Sequence, residues 1–203
     1  MRAYRAEALH RRATGVCTGI IEKNEDPDKE GRVKVRFPWL DNRTITEWCR
    51  VCQPYAGNGY GMMFVPEIGD EVLISFVHGE MCEPIVLGGL YNAKDKPPGF
   101  RLQQTDKKVI RTKAGHELVL DDSSPSIGVT LRSKAGHLVE LDDKHHALTV
   151  KSKAGHEAVF DDQSKTLTIK HSGGSASIKF DASGNVTVTA SNITLTASKI
   201  DIG

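Results

Sequence analysis

The chain has 203 residues with 27 basic against 26 acidic side chains, a formal net charge of +1, so no basic surplus directs it to nucleic acid or to an acidic membrane. Apolar residues make up 38 % and aromatics 6 %, while glycine is abundant at 19, a profile of β-rich structure with many turns rather than one large core. No apolar run reaches the length of a membrane span, and the N-terminal MRAYRAEALHRR has no signal-peptide core, so the expectation is a chain made and assembled in the cytoplasm.

Residues 1–14 are polar and basic and read as an arm. From Val16 the pattern is all β. In GRVKVRF, residues 31–37, Val33, Val35 and Phe37 alternate with Arg32, Lys34 and Arg36, which predicts a half-buried strand with a charged outer face. NEDPDKEG before it is turn chemistry. Further strands are expected at 48–53, 62–65, 71–77 and 84–90, separated by Gly- and Asp-containing turns. Short strands at this spacing with no convincing helix predict a small OB-type barrel over 15–92, with 93–104 as linker. All four cysteines, Cys17, Cys49, Cys52 and Cys82, lie in this half. Cys49 and Cys52 form a CxxC, but the strand-then-helix context of a redox motif and a second metal-binding pair are both missing, so they read as strand residues.

The second half is repetitive. KAGHELVLDD starts at Lys113, KAGHLVELDD at Lys134 and KAGHEAVFDD at Lys153, offsets of 21 and 19 residues, and a worn copy, SASIKFDASG, starts at Ser175. Such a period means stacked supersecondary units. Period-2 pairs put Leu118 with Leu120, Val129 with Leu131, Val139 with Leu141, Leu148 with Val150, Ala158 with Phe160, and Leu167 with Ile169 on one face. Ile178 and Phe180, Val186 and Val188, Ile193 and Leu195, and Ile200 and Ile202 continue the series, while Thr, Lys, Arg, Asp and Glu line the other face. Strand spacing falls from about ten residues to about seven, which predicts a taper.

A strand with two or three apolar side chains gains roughly 1.5–3 kcal/mol from each on burial, while ordering its backbone costs about 1–2 kcal/mol per residue. A lone chain of such strands also leaves open edges. A single-chain solenoid with three strands per turn is one solution, but a two-strand repeat of about 20 residues is too short for it. The expectation is therefore an all-β homotrimer over 105–203: an intertwined β-prism, each chain donating strands to every face, ten strands long and about 50 Å in length.

GRVKVRFPW at 31–39, EWCRVCQPYAGNGYGMMFVPEIGDEVLISFVHGE at 47–80 and EPIVLGGLYN at 83–92 resemble the OB domain of the VgrG and phage baseplate-V spike family, over about residues 15–100 and in the family's order and spacing. The KAGH repeats look like that family's trimeric β-helix. The resemblance implies a central spike of a contractile injection machine: a phage tail, a tailocin, a type VI secretion system or an extracellular injection system. Its partners would be baseplate hub or tail-tube proteins and the target-cell envelope, in a virion or phage-tail-like particle, with no nucleic acid and no cofactor. Family members usually carry a large hub domain before the OB domain, and this sequence begins almost at the OB domain, so it resembles a stand-alone phage-type spike or a fragment of a longer one. The apolar C-terminal end lacks the His-x-His tip of some phage spikes, and the resemblance implies that Ile200, Asp201, Ile202 and Gly203 dock a tip protein of the PAAR type.

His116, His137 and His156 occupy matching repeat positions in phase with the inward residues, so a trimer would stack rings of imidazoles able to hold an axial metal. The alternative, favoured because Ala176 aligns with them in the fourth copy, places the histidines at prism corners bonded to backbone. Gly115, Gly136 and Gly155 are read as left-handed turns, and the pairs Asp121–Asp122, Asp142–Asp143 and Asp161–Asp162 as turn and cap residues rather than calcium ligands. GNGYG at 57–61 has no P-loop lysine and no following helix, and no catalytic constellation is found, so no enzyme is expected. A rival reading makes the barrel a binder of single-stranded nucleic acid or glycan through Arg32, Lys34, Arg36, Phe37 and Trp39.

Overall fold

The computed structural model describes residues 13, 15–41, 43–98, 105–173, 176–198 and 200. The chain divides into two compact units, Met1–Lys96 and Pro97–Gly203. No helix among the described residues is long and apolar enough to cross a membrane.

The first unit contains β1 (Val16–Lys23), β2 (Lys34–Arg36), β3 (Arg50–Val51), β4 (Ala56–Gly57), β5 (Tyr60–Gly61), β6 (Glu71–Phe76) and β7 (Pro84–Gly89). Five of them form one sheet in the order β2-β1-β6-β7-β3, antiparallel except for the parallel β3–β7 pair. A bridge between Val33 and Cys49, with N–H···O distances of 2.9 and 2.8 Å, joins the β3 end of the sheet back to the β2 end. The sheet is thereby a closed barrel, which removes its edges.

Alternation along the strands explains the core. Val33, Val35 and Phe37 on one side of the β2 segment, Val72, Ile74 and Phe76 on β6, Ile21 on β1 and Val86 on β7 all point inward and are buried. Gly19 has a packing reason: a Cβ there would sit 2.4 Å from Val35 Cγ1 and 2.7 Å from Ile74 Cδ1. Buried Thr46 both donates its backbone N–H to Val35 O and accepts the Val35 N–H on Oγ1, each at 2.9 Å, pinning the segment after β2 to its neighbour. In the β1–β2 turn the Asp26 carboxylate accepts the backbone N–H groups of Asp28, Glu30 and Arg32 and two hydrogen bonds from the Arg32 guanidinium.

Two barrel strands differ from expectation. The strand predicted at 48–53 contracts to β3. Residues 62–65 form no strand; the glycine-rich stretch before them folds into the β4–β5 hairpin instead. Gly59 and Gly61 have φ of +79° and +144°, open to glycine and strained for other residues. The Gln53 side-chain amide then takes the place of a strand partner, donating to Phe64 O and accepting the Phe64 N–H at 3.1 Å each.

The second unit is one nine-stranded antiparallel meander in which every strand lies beside its sequence neighbours. Its strands are β8 (Lys107–Arg111), β9 (Glu117–Asp121), β10 (Gly128–Arg132), β11 (Leu138–Asp142), β12 (Ala147–Lys151), β13 (Glu157–Asp161), β14 (Thr166–Lys170), β15 (Ser177–Phe180) and β16 (Val186–Thr189). Each KAGH is a tight turn: Gly115, Gly136 and Gly155 have φ of +95°, +95° and +90°. Their N–H groups donate at 2.9 Å to Thr112 O, Ser133 O and Ser152 O. At the other turns the first aspartate of each pair accepts a backbone N–H, from Ser123, His145 and Ser164 respectively, as turn chemistry requires.

This meander corrects the intertwined arrangement. Strands β9 to β15 have both neighbours from their own chain, so the backbone hydrogen bonds assigned to other chains run within one chain. Short turns closed by glycine and aspartate return each strand beside its predecessor before another chain can intervene. The strand count also differs. β8 adds a strand at the start, whereas Ile193 and Leu195 lie in residues without strand pairing. Ile200 is described and exposed; Asp201, Ile202 and Gly203, like Ser175 and nearly all of the 1–14 arm, lie outside the described residues.

Candidate functional site

The register of the meander gathers the apolar residues into two rows that cross the whole sheet on one face. One row runs Ile110, Leu118, Leu131, Val139, Val150, Ala158, Ile169, Ile178 and Val188, each opposite the next. The second runs Leu120, Val129, Leu141, Leu148, Phe160, Leu167, Phe180 and Val186, with Lys108 at its β8 end. Every predicted core residue of this unit from Leu118 to Val188 therefore falls on one surface. Ile193 and Leu195 fall outside the rows.

Among the described residues of the meander, nothing covers that surface. All the buried apolar side chains among the described residues lie in the barrel. In the meander Leu131 is 54 % exposed, Phe160 43 % and Val186 55 %. The opposite face carries Val109, Val119, Thr130, Glu140, Thr149, Val159, Thr168, Lys179 and Thr187, mostly polar, so the sheet has one polar side and one exposed apolar side. A hollow of about 380 Å³ on the polar side is lined by Lys107, Glu117, Asp121, Arg132, Glu140 and Lys144 among others, a balanced set of charges that selects no ligand class.

The repeat histidines continue the apolar face to its edge. His116 Nδ1 accepts the Lys134 N–H at 3.4 Å, His137 Nδ1 the Lys153 N–H at 3.3 Å, and His156 Nδ1 the Ser172 N–H at 3.3 Å. Each imidazole thus ties one turn to the next through backbone. His171, which the sequence reading did not single out, stacks against His156 with ring centroids 4.6 Å apart. Among the described residues of one chain no three metal-ligating side chains cluster. His145 and His146 form an exposed turn: His145 Nδ1 meets Asp142 Oδ2 at 2.7 Å, and His146 adopts φ +51°.

Electrostatics at the turns are local. Hydrogen bonding from the Ser123 hydroxyl, aided by Lys107 at 2.9 Å, holds the Asp121 carboxyl down to about 2. The Asp142, Asp161 and Asp181 carboxyls are lowered by the His145 side chain, the Ser164 backbone and the Asn185 side chain respectively. In the barrel, burial raises the Cys49 thiol, whose Sγ lies 3.1 Å from Thr46 Oγ1; all four cysteines are free.

The basic groove of the rival reading does not form. Arg32 pairs with Asp26 at 2.9 Å, Lys34 with Glu47 at 3.0 Å and Arg36 with Glu22 at 2.5 Å. Phe37 is fully buried and Trp39 donates its indole N–H to Thr18 O at 3.0 Å, so neither cations nor rings are assembled for a strand of bases. Two signals for the apolar surface went unread in the sequence. Ile110 sits in KKVIR among charges that mask the alternation, and His171 lies outside a KAGH copy.

The barrel has been seen before. Residues 17–91 match the type VI secretion system/phage-baseplate injector OB domain. The chain is similar to the actin cross-linking toxin VgrG1 of Vibrio cholerae, 39 % identical over 90 residues, which is 42 % of this chain and 8 % of that protein. It is also similar to the type VI secretion system spike protein VgrG3 of Vibrio cholerae, 36 % identical over 113 residues, 51 % of this chain and 11 % of the relative. With the spike protein VgrG1a of Pseudomonas aeruginosa it shares 43 % identity over 89 residues, 42 % of this chain and 14 % of the relative. The matched stretch is thus a small part of each of these relatives and centres on the barrel. The closed OB-type barrel and this sequence match agree: residues 17–91 form an injector OB domain of the type VI secretion system/phage-baseplate kind.

Proposed function

We propose that this chain is the central spike component of a contractile injection machine, acting mechanically rather than by catalysis. The observation that carries the reading is the pair of uninterrupted apolar rows left uncovered on one face of the meander. Three copies, each contributing its β8–β16 sheet as one wall, turn those faces toward a common axis and bury them. Burial of each Leu, Ile, Val or Phe is worth about 1.5–3 kcal/mol, which gives the missing core. The trimer core on this reading is the set from Leu118 to Val188, and the imidazoles of His116, His137 and His156 come near the seams between walls. The family match supports attachment of the barrel to baseplate hub or tail-tube proteins. On the same reading Ile200, Asp201, Ile202 and Gly203 are the residues that dock a tip protein of the PAAR type, and contraction drives the assembly through a target envelope.

Immunogold labelling of contractile particles from the source cells, with antibody raised against the barrel, tests the role. Label concentrated at the baseplate end of the particles is expected. Particles that carry no label, while the protein is abundant elsewhere, contradict it.

A further inference from the structure

The turns of the meander alternate in charge between the two long edges of the sheet. The β8–β9, β10–β11 and β12–β13 turns carry Lys113, Lys134 and Lys153, and the β9–β10, β11–β12 and β13–β14 turns carry Asp122, Asp143 and Asp162. All six side chains are exposed. An antiparallel meander brings every second turn to the same edge, so the lysines line one edge and the aspartates the other, each with a period of two strands, about 9.6 Å. The preceding aspartates, 121, 142 and 161, accept hydrogen bonds within their own turns, which leaves the second of each pair as the outer charge. Asp122 also meets Lys108 of its own chain.

We propose that in the assembly the lysine edge of each copy lies against the aspartate edge of the next, always in the same rotational sense, so that all three seams are lysine–aspartate seams. This rests on the three-wall reading above and adds to it which edges meet. A two-fold contact would set lysine edge on lysine edge, whereas rotational closure sets unlike edges together at every seam. Facing turns are offset along the axis by one strand, about 4.8 Å, a step that the four-carbon stem of lysine spans. Lys144 and Lys165 share the aspartate edge and dilute its charge, so the seam works through positioned pairs rather than through a net field.

The test is a seam crosslink in the full chain with Cys52→Ser and Cys82→Ser as background, since those two cysteines are exposed. Lys134→Cys and Asp143→Cys are introduced together. Within one chain they stand at opposite ends of a five-residue strand, about 17 Å apart, beyond any disulfide. Oxidation is expected to give a covalent three-chain species on denaturing gels, and Lys134→Cys alone is expected to give no covalent dimer. A covalent dimer from Lys134→Cys alone overturns the proposal by showing like edges in contact. A three-chain mass in solution with no crosslink from the double variant overturns the seam and leaves the three-wall reading standing. A single-chain mass overturns that reading first, and the seam with it. Charge exchange gives a second readout: Lys134→Glu with Lys153→Glu is expected to lower the temperature at which the assembly dissociates, and Asp143→Lys with Asp162→Lys added is expected to restore it. The seam crosslink in the cysteine variant without restored stability in the charge-exchanged one would place the edges together but remove the charge pairing.

Discussion

Gly136 shows how single residues set the ladder. It turns the chain at φ +95°, where a Cβ costs roughly 1–2 kcal/mol, so Gly136→Ala is expected to lower the melting temperature of the assembly without altering the barrel, a change calorimetry reads directly. The same conformation at Gly115 and Gly155 was legible because the glycine recurs in each KAGH copy. Gly19 was not legible: nothing in VCTGIIEK reveals that Val35 and Ile74 fill the space its Cβ would take. Gly19→Ala is accordingly expected to destabilise the barrel, read as earlier unfolding in urea. Asp121 carries a pH dependence of definite sign. Its carboxyl titrates at about 2 in the folded chain, below the usual value near 4, so its contribution is full above pH 4 and is lost as pH falls towards 2. Asp121→Asn is expected to flatten that part of the stability-against-pH curve, and an unchanged curve would remove Asp121 from the account.

At the scale of elements, period-2 alternation made most of the meander strands readable, since two rows of apolar residues demand one buried face whichever chain lies beside them. That same indifference explains why intertwining was misjudged. Alternation states which side of a strand is buried and says nothing about whose backbone occupies its edges; the tightness of the turns decides that, through the glycine φ values and the aspartate caps. In the barrel, 62–65 looked like a strand because it is apolar, but the pairing it needed comes from one Gln53 side chain. Charge placed on the apolar rows provides the element-level test. Leu131→Asp, at a position 54 % exposed in the single chain, costs little there but puts a carboxylate in the core that the proposed trimer closes. The variant is expected to remain folded by circular dichroism of the barrel and to lose self-association in gel filtration. Retention of the parent's elution volume would show that this face is not an interface.

The whole molecule joins two solutions to the same problem of marginal cores. The barrel closes on itself through the Val33–Cys49 bridge and buries a core of its own. The meander leaves its rows exposed, and on the proposed reading other copies cover them. The barrel and its resemblance were legible from the motifs, because the residues that carry them also build the buried core. The within-chain meander was not, because it depends on turn geometry three repeats long. Light scattering across a dilution series measures the central claim most directly. For a chain of 22.2 kDa the account predicts the mass of three chains, unchanged as concentration falls. A mass of one chain at every concentration would contradict it, since the two apolar rows would then stand in water with nothing to cover them.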